Sequence, residues 1–198
     1  MPKKVPLILR LVAIVAVLGN VVFNYTYGIL GSGPTMKTVS ERHETLFTPA
    51  NYAFSIWGLI YTALIAFVFS TFLPSNRRSR AVERTLPALI ATQVLSTLWI
   101  AVFLREAIVE SAFVIVLNLA AAIVFYVESH AAVARGRQSY WFSAPASLLL
   151  GWLSVASMAN IAMALQFSGY DGRPLTPALW TVVLIGLAVA LGLTLGLR

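Results

Sequence analysis

The chain has 198 residues, 59% hydrophobic and 11% charged, with a mean hydropathy of +0.84 and a formal net charge of +7. A water-soluble domain carries about 25% charged residues, so this composition cannot cover a water-facing surface, and most of the chain is expected to face lipid. The absence of cysteine excludes disulfides, thiolate metal centres, thiol nucleophiles and covalent haem attachment. Lys and Arg cluster between long apolar runs, which fits the positive-inside rule and not a nucleic-acid-binding face.

A membrane-crossing helix needs roughly 20 apolar residues. Six stretches meet this condition: Leu7–Leu30, Pro49–Leu73, Leu86–Leu104, Ala107–Val127, Ser143–Gln166 and Pro177–Leu197. The first follows Lys3 and Lys4 as a signal peptide would, yet Arg10 interrupts it, Asn20 and Asn24 occupy its second half, and no small-x-small cleavage site follows. It is expected to be a retained span. The connection Gly31–Thr48 carries Lys37, Glu41, Arg42, His43 and Glu44 and is long enough to fold over one mouth of a helix bundle. Glu41, His43 and Glu44 are metal-ligand types, but one histidine beside two carboxylates on a charged loop reads as a solvated cluster. Thr48-Pro49 and Thr176-Pro177 each offer a hydroxyl cap and then a proline suited to a first turn.

At the start of the fourth stretch, Glu106 and Glu110 lie one turn apart, where carboxylates meet the helix dipole favourably. Glu128 and His130 end it as a headgroup-level pair. Ala188, Gly192 and Gly196 form a small-residue series on the sixth stretch, and Gly151 lies one turn before Val155 on the fifth, which allows a homodimer. Near the helix ends, Lys3, Lys4, Arg10, Arg77, Arg78, Arg80, Arg84, Arg135, Arg137 and Arg198 fall on one side, ten basic residues against four (Lys37, Arg42, Arg105 and Arg173) on the other. With six spans, both termini are expected to be cytoplasmic in a multi-pass protein, and a bacterial cytoplasmic membrane is the expected location. No soluble domain and no repeat stands out, so residues 1–198 are expected to form a single integral membrane domain.

Helices in lipid have no hydrophobic drive toward each other, so polar, aromatic and small residues mark the faces that meet protein. Asn20, Asn24 and Tyr27 form one stripe on the first span, Phe54, Trp57 and Tyr61 on the second, and Gln93, Ser96, Trp99 and Phe103 on the third. Trp152, Ala156, Asn160 and Met163 share a side of the fifth. Tyr140, Trp141, Tyr170 and Trp180 lie near expected helix ends and read as interfacial anchors. Trp57, Trp99 and Trp152 lie deeper, beside polar groups. They suggest an aromatic cavity for a flat hydrophobic ligand, although plain packing would place them similarly. No Asp, Glu, Lys or Arg lies deep in a span, which argues against ion pumping. No nucleophile triad, phosphate loop or acid/base pair is recognisable, so an enzyme is the less favoured expectation, and no catalytic residue or metal is assigned.

The stretch Phe47-Thr-Pro-Ala-Asn-Tyr-Ala-Phe-Ser-Ile-Trp-Gly-Leu-Ile-Tyr61 resembles the second helix of the tryptophan-rich sensory protein or translocator protein family (TspO/MBR, the peripheral benzodiazepine receptor family). Pro49, Tyr52, Phe54, Trp57 and Tyr61 match its pattern of proline, aromatic and apolar residues followed by Trp and Tyr. Gln93, Trp99 and Phe103 are similar to its third helix, and Pro145, Trp152, Ala156 and Asn160 to its fifth. The resemblance covers about residues 7–166. It departs from the family pattern in three places: Tyr52 to Trp57 is one residue short and lacks Gly-Pro, Ser96 or Thr97 stands where Asn is usual, and Pro145 is further from Trp152. The Tyr and Arg that follow the fifth-helix Asn in sterol-recognising members are replaced by Ile161-Ala-Met-Ala-Leu165, so cholesterol recognition is not implied.

The resemblance implies an all-α, TspO-like five-helix transmembrane bundle, to which the Pro177–Leu197 stretch adds a sixth C-terminal helix. It also implies binding of a porphyrin or other tetrapyrrole-like ligand, as sensor or regulator, with no required cofactor. The implied pocket is lined by Tyr52, Phe54, Trp57, Tyr61, Trp99, Phe103, Trp152 and Asn160 and covered by Gly31–Thr48. The alternative is a membrane transporter of small hydrophobic compounds, which flux into proteoliposomes would discriminate. The implied partners are the lipid bilayer, the hydrophobic small molecule and a second copy in a homodimer.

Overall fold

The computed structural model describes residues 5–31 and 33–170, together with Leu179 and Gly186. Among these residues five helices are long and apolar enough to cross a membrane. Helix α1 spans Leu7–Phe23 and continues as a π-helical segment, Asn24–Ile29. A short α2, Met36–Arg42, lies in the first connection. A 3₁₀ turn, Asn51–Ser55, leads into α3, Ile56–Ser70. Helices α4, Arg80–Phe103, and α5, Ile108–Ala134, follow, and a second 3₁₀ turn, Tyr140–Phe142, precedes α6, Ala144–Phe167. The expected sixth span, Pro177–Leu197, its Thr176-Pro177 opening and the Ala188, Gly192, Gly196 series lie outside the described residues.

The five long helices close into a ring. Helix α1 packs on α3 and α4, α5 packs on α4 and α6, and α6 returns to α3. Alternating direction puts residues 5–6, 71–79 and 135–143 at one end, which is rich in arginine. Residues 30–55, 104–107 and 168–170 lie at the other end. Hydrogen bonds hold the arginine-rich end together. The Val5 amide donates to the Arg77 carbonyl at 2.9 Å, and Gln138 Nε2 donates to Ser79 Oγ at 3.1 Å and Asn76 Oδ1 at 3.3 Å.

The helix ends differ from the sequence expectation in an instructive way. Helix α4 begins six residues before Leu86, at Arg80, and α5 runs seven beyond Val127, to Ala134. Hydropathy marks only the hydrocarbon-crossing part, whereas backbone hydrogen bonding carries a helix on into the headgroup layer. The Ser79 side chain caps α4 by accepting from the Val82 amide at 3.5 Å. Thr48 does not cap α3. Its hydroxyl accepts from the Thr45 amide at 2.8 Å and closes a turn, and helical structure starts only after the extended Ala50.

Asn20 and Asn24 are buried as their stripe predicts, but Tyr27 is 55% exposed. The Leu30 amide bonds to the Tyr25 carbonyl, five residues back, at 3.0 Å. That wider turn rotates Tyr27 away from the face it would occupy in an α-helix. The remaining polar stripe residues tie helices together: Asn20 Nδ2 donates to Thr97 Oγ1 and Asn118 Nδ2 to Ser96 Oγ, each at 2.9 Å. Interhelical bonds of this kind contribute about 0.6–2 kcal/mol each in a membrane.

Arg10, on an otherwise apolar helix, is buried at the arginine-rich end. Its guanidinium donates to the carbonyls of Val5 at 3.3 Å and Thr71 at 3.5 Å and lies 4.9 Å from the Phe72 ring centroid. It pins the first span to the α3–α4 connection. Replacing it with Met removes both bonds and the cation–π contact and is expected to cost about 1–2 kcal/mol, read from the unfolding midpoint in mixed micelles.

Candidate functional site: the aromatic interior and its cover

The expected site residues fall into two groups. Phe54, from the 3₁₀ turn, meets the edge of Trp152 on α6 at 6.0 Å between ring centroids. Trp57 and Tyr61 on α3 stack at 5.2 Å and 24°, and Trp57 meets Trp152 edge-on at 6.1 Å. Asn24 Nδ2 donates to the Tyr61 hydroxyl at 2.5 Å, which leaves the phenolic proton for a further acceptor. Trp57 is buried, whereas Phe54, Tyr61 and Trp152 are half-buried and keep ring surface available.

The second group spans the ring. Trp99 and Phe103 on α4 are buried and stack at 5.0 Å and 20°. Trp99 Nε1–H donates to Asn160 Oδ1 on α6 at 2.7 Å. Asn160 Nδ2 donates to Ser111 Oγ on α5 at 2.9 Å, and the Ser111 hydroxyl donates to the Ile108 carbonyl at 2.7 Å. Because α5 separates α4 from α6 in the ring, this three-residue bridge fixes three consecutive helices to one another. Trp152 and Asn160 are eight residues apart on α6, about 12 Å along the axis at 1.5 Å per residue, so the two groups lie at different depths. Tyr52 belongs to neither group: it is 82% exposed on the 3₁₀ turn.

The first connection does fold across the mouth. Helix α2 is opened by a reciprocal cap, in which Thr35 Oγ1 accepts from the Thr38 amide at 3.2 Å and Thr38 Oγ1 accepts from the Thr35 amide at 2.7 Å. Met36, Val39 and Ser40 turn inward, and the helix leans on α4. At its end Arg42 Nη1 donates to Glu106 Oε1 at 2.6 Å, His43 Nε2 lies 3.2 Å from Glu106 Oε2, and the His43 ring meets the edge of Phe167 at 5.6 Å. Glu106 thus precedes α5 and latches the cover to the α4–α5 connection. Only Glu110 sits in the first turn of α5. Local sequence gave no sign of this role, because Arg42 lies 64 residues away. Glu106 also holds a left-handed backbone, with φ of 57°, an arrangement that costs a non-glycine residue about 1 kcal/mol or more.

His43 pairs with Glu106 while Glu41 pairs with Lys37 at 3.8 Å, so these groups serve the cover and not a common centre. His130 stacks on Tyr126 at 5.2 Å, while Glu128 lines a hollow at the arginine-rich end.

Five long apolar helices closed around aromatic and amide side chains define a multi-pass integral membrane protein. The chain belongs to the TSPO-like protein family, whose model matches residues 10–198. The match therefore continues past residue 166, where the resemblance drawn from motifs ends, and takes in the sixth stretch. No curated protein and no solved structure matches the chain.

Asn160→Ala removes the acceptor of a buried indole N–H and is expected to cost about 1–3 kcal/mol in mixed-micelle unfolding. Trp99→Phe leaves the Asn160–Ser111 bond in place and is expected to cost less. The hydrogen bond with His43, followed by the bond and charge of Arg42, holds the Glu106 carboxyl below the usual glutamate range. A carboxylate with a lowered pKa contributes its stabilisation above the ordinary value and loses it as pH falls through the lowered one. Because the chain has no native cysteine, spin labels at Lys37→Cys and Gln166→Cys report the cover directly. A narrow distance distribution is expected at neutral pH, broadening only as the pH falls below the ordinary glutamate range, and Glu106→Gln is expected to broaden it in both conditions.

Proposed function

We propose that this bundle binds a flat, hydrophobic, tetrapyrrole-like ligand and acts as a sensor or regulator. The arginine-rich end faces the cytoplasm, and the α2 cover lies over the opposite mouth. The observation that carries this proposal is the Phe54, Trp57, Tyr61 and Trp152 cluster, in which the buried Trp57 indole meets Tyr61 and Trp152, Trp152 in turn meets Phe54, and those three partly buried rings keep exposed surface. Such surface suits stacking, and the free Tyr61 proton suits one polar edge of the ligand. The groups of Trp99, Phe103 and Asn160 are already engaged with one another, so in this proposal they form the rigid wall beside the site and not its polar anchor. Membership of the TSPO-like family supports the proposal as kinship and does not name the ligand.

Titration with protoporphyrin, followed by tryptophan fluorescence, tests it. Saturable quenching is expected in the native protein and in Trp141→Phe, with affinity reduced roughly tenfold or more in the Trp57→Phe, Trp152→Phe double variant. Quenching that never saturates, or saturable quenching unchanged in that double variant, would overturn the pocket.

A further inference from the structure

The arginine-rich end carries an open hollow outside the aromatic interior. A hollow of about 370 Å³ is lined by Ser75, Ser79, Arg80, Ala81, Arg137 and Gln138. A smaller hollow adjoins it, sharing Arg80, Ala81 and Arg137 and adding Arg84, Arg135 and Glu128. The larger one thus carries two guanidinium groups and no carboxylate, while Glu128 in the smaller one lies among four arginines. Among the described residues none of these four arginines makes an ion pair. The two walls come from different connections, and Gln138 fastens them by donating to Ser79 and Asn76. The larger hollow is open on one side and has room for a phosphate group.

Its position narrows the ligand. Arg80 is the first residue of a membrane-crossing helix, and Tyr140 and Trp141, just past Gln138, are each 85% exposed, as aromatic residues at headgroup level are. Guanidinium groups at that level favour phosphate, which they can hold through paired N–H donors, and the Ser75 and Ser79 hydroxyls add neutral donors. Topology alone would require positive charge at this end. It would not require one arginine at the start of α4 and another from the α5–α6 connection to share one hollow.

We propose that this hollow is a phosphate-binding site for the headgroup of an anionic phospholipid, with Arg80 and Arg137 as its paired ligands. Native mass spectrometry of the detergent-solubilised full chain tests the proposal, using dioleoyl phosphatidylglycerol as probe, dioleoyl phosphatidylcholine as the zwitterionic comparison and inorganic phosphate as competitor. One retained phosphatidylglycerol is expected, with the phosphatidylcholine adduct at least roughly tenfold weaker. Arg80→Gln with Arg137→Gln should lose it, whereas Arg77→Gln with Arg78→Gln, equal in charge but outside both hollows, should keep it. Arg137→Lys conserves charge while removing the fork, and a several-fold weakening there supports the site even if the double variant fails to fold. Displacement of the lipid by inorganic phosphate would retain the anion site but overturn the lipid as its source. Equal retention of both lipids, equal loss in the two double variants, or no change in Arg137→Lys together with the Arg80, Arg137 pair would overturn the site itself.

Discussion

In a bilayer, apolar side chains are as well solvated outside a helix bundle as within it, so burial of Leu and Val does not decide how helices meet. A small set of polar cross-links has to decide it. In this protein these run from Asn20 to Thr97, from Asn24 to Tyr61, from Asn118 to Ser96, and from Trp99 through Asn160 to Ser111. Together they join α1 to α4 and α3, α4 to α5 and α6, and α5 to α6. The ring is therefore specified where amides, hydroxyls and one indole find each other. The apolar residues around them fill space.

The same constraint shapes the candidate site. Aromatic rings give large contact area and carry polar handles, so they can form both the wall of a pocket and its attachment to the bundle. Trp99 has its handle engaged by Asn160 and ties α4 to α6. Phe54 and Trp152 keep exposed ring surface, and Tyr61 is tethered by Asn24 while retaining its own proton. The cover over this end is held by charge, through Glu106, in the one layer where charge is inexpensive.

The two ends of the bundle are accordingly different in kind. At the covered end, a single carboxylate receives a guanidinium and an imidazole and closes the first connection onto the α4–α5 turn. At the other end, arginines outnumber carboxylates and stand around open hollows, while Arg10 turns inward to hold the first span against backbone carbonyls.

The sequence by itself determined the membrane environment, the cores of the first five spans and the polar and aromatic stripes on α3, α4 and α6, because hydropathy and helical periodicity are local properties. It also carried the family motif around Trp57. Only the tertiary structure decided which stripe residues meet. Tyr27 leaves its stripe because the backbone widens into a π-helix, and Tyr52 turns outward on a 3₁₀ turn. Both are changes of backbone period that an assumed 3.6-residue repeat cannot register. That Trp57 meets Trp152, and Trp99 meets Asn160, depends on how α3 and α4 are placed relative to α6. The role of Glu106 depends on Arg42 and His43 arriving from a distant connection. Such pairings between segments far apart in the chain are set by the closed ring, and no local pattern encodes them.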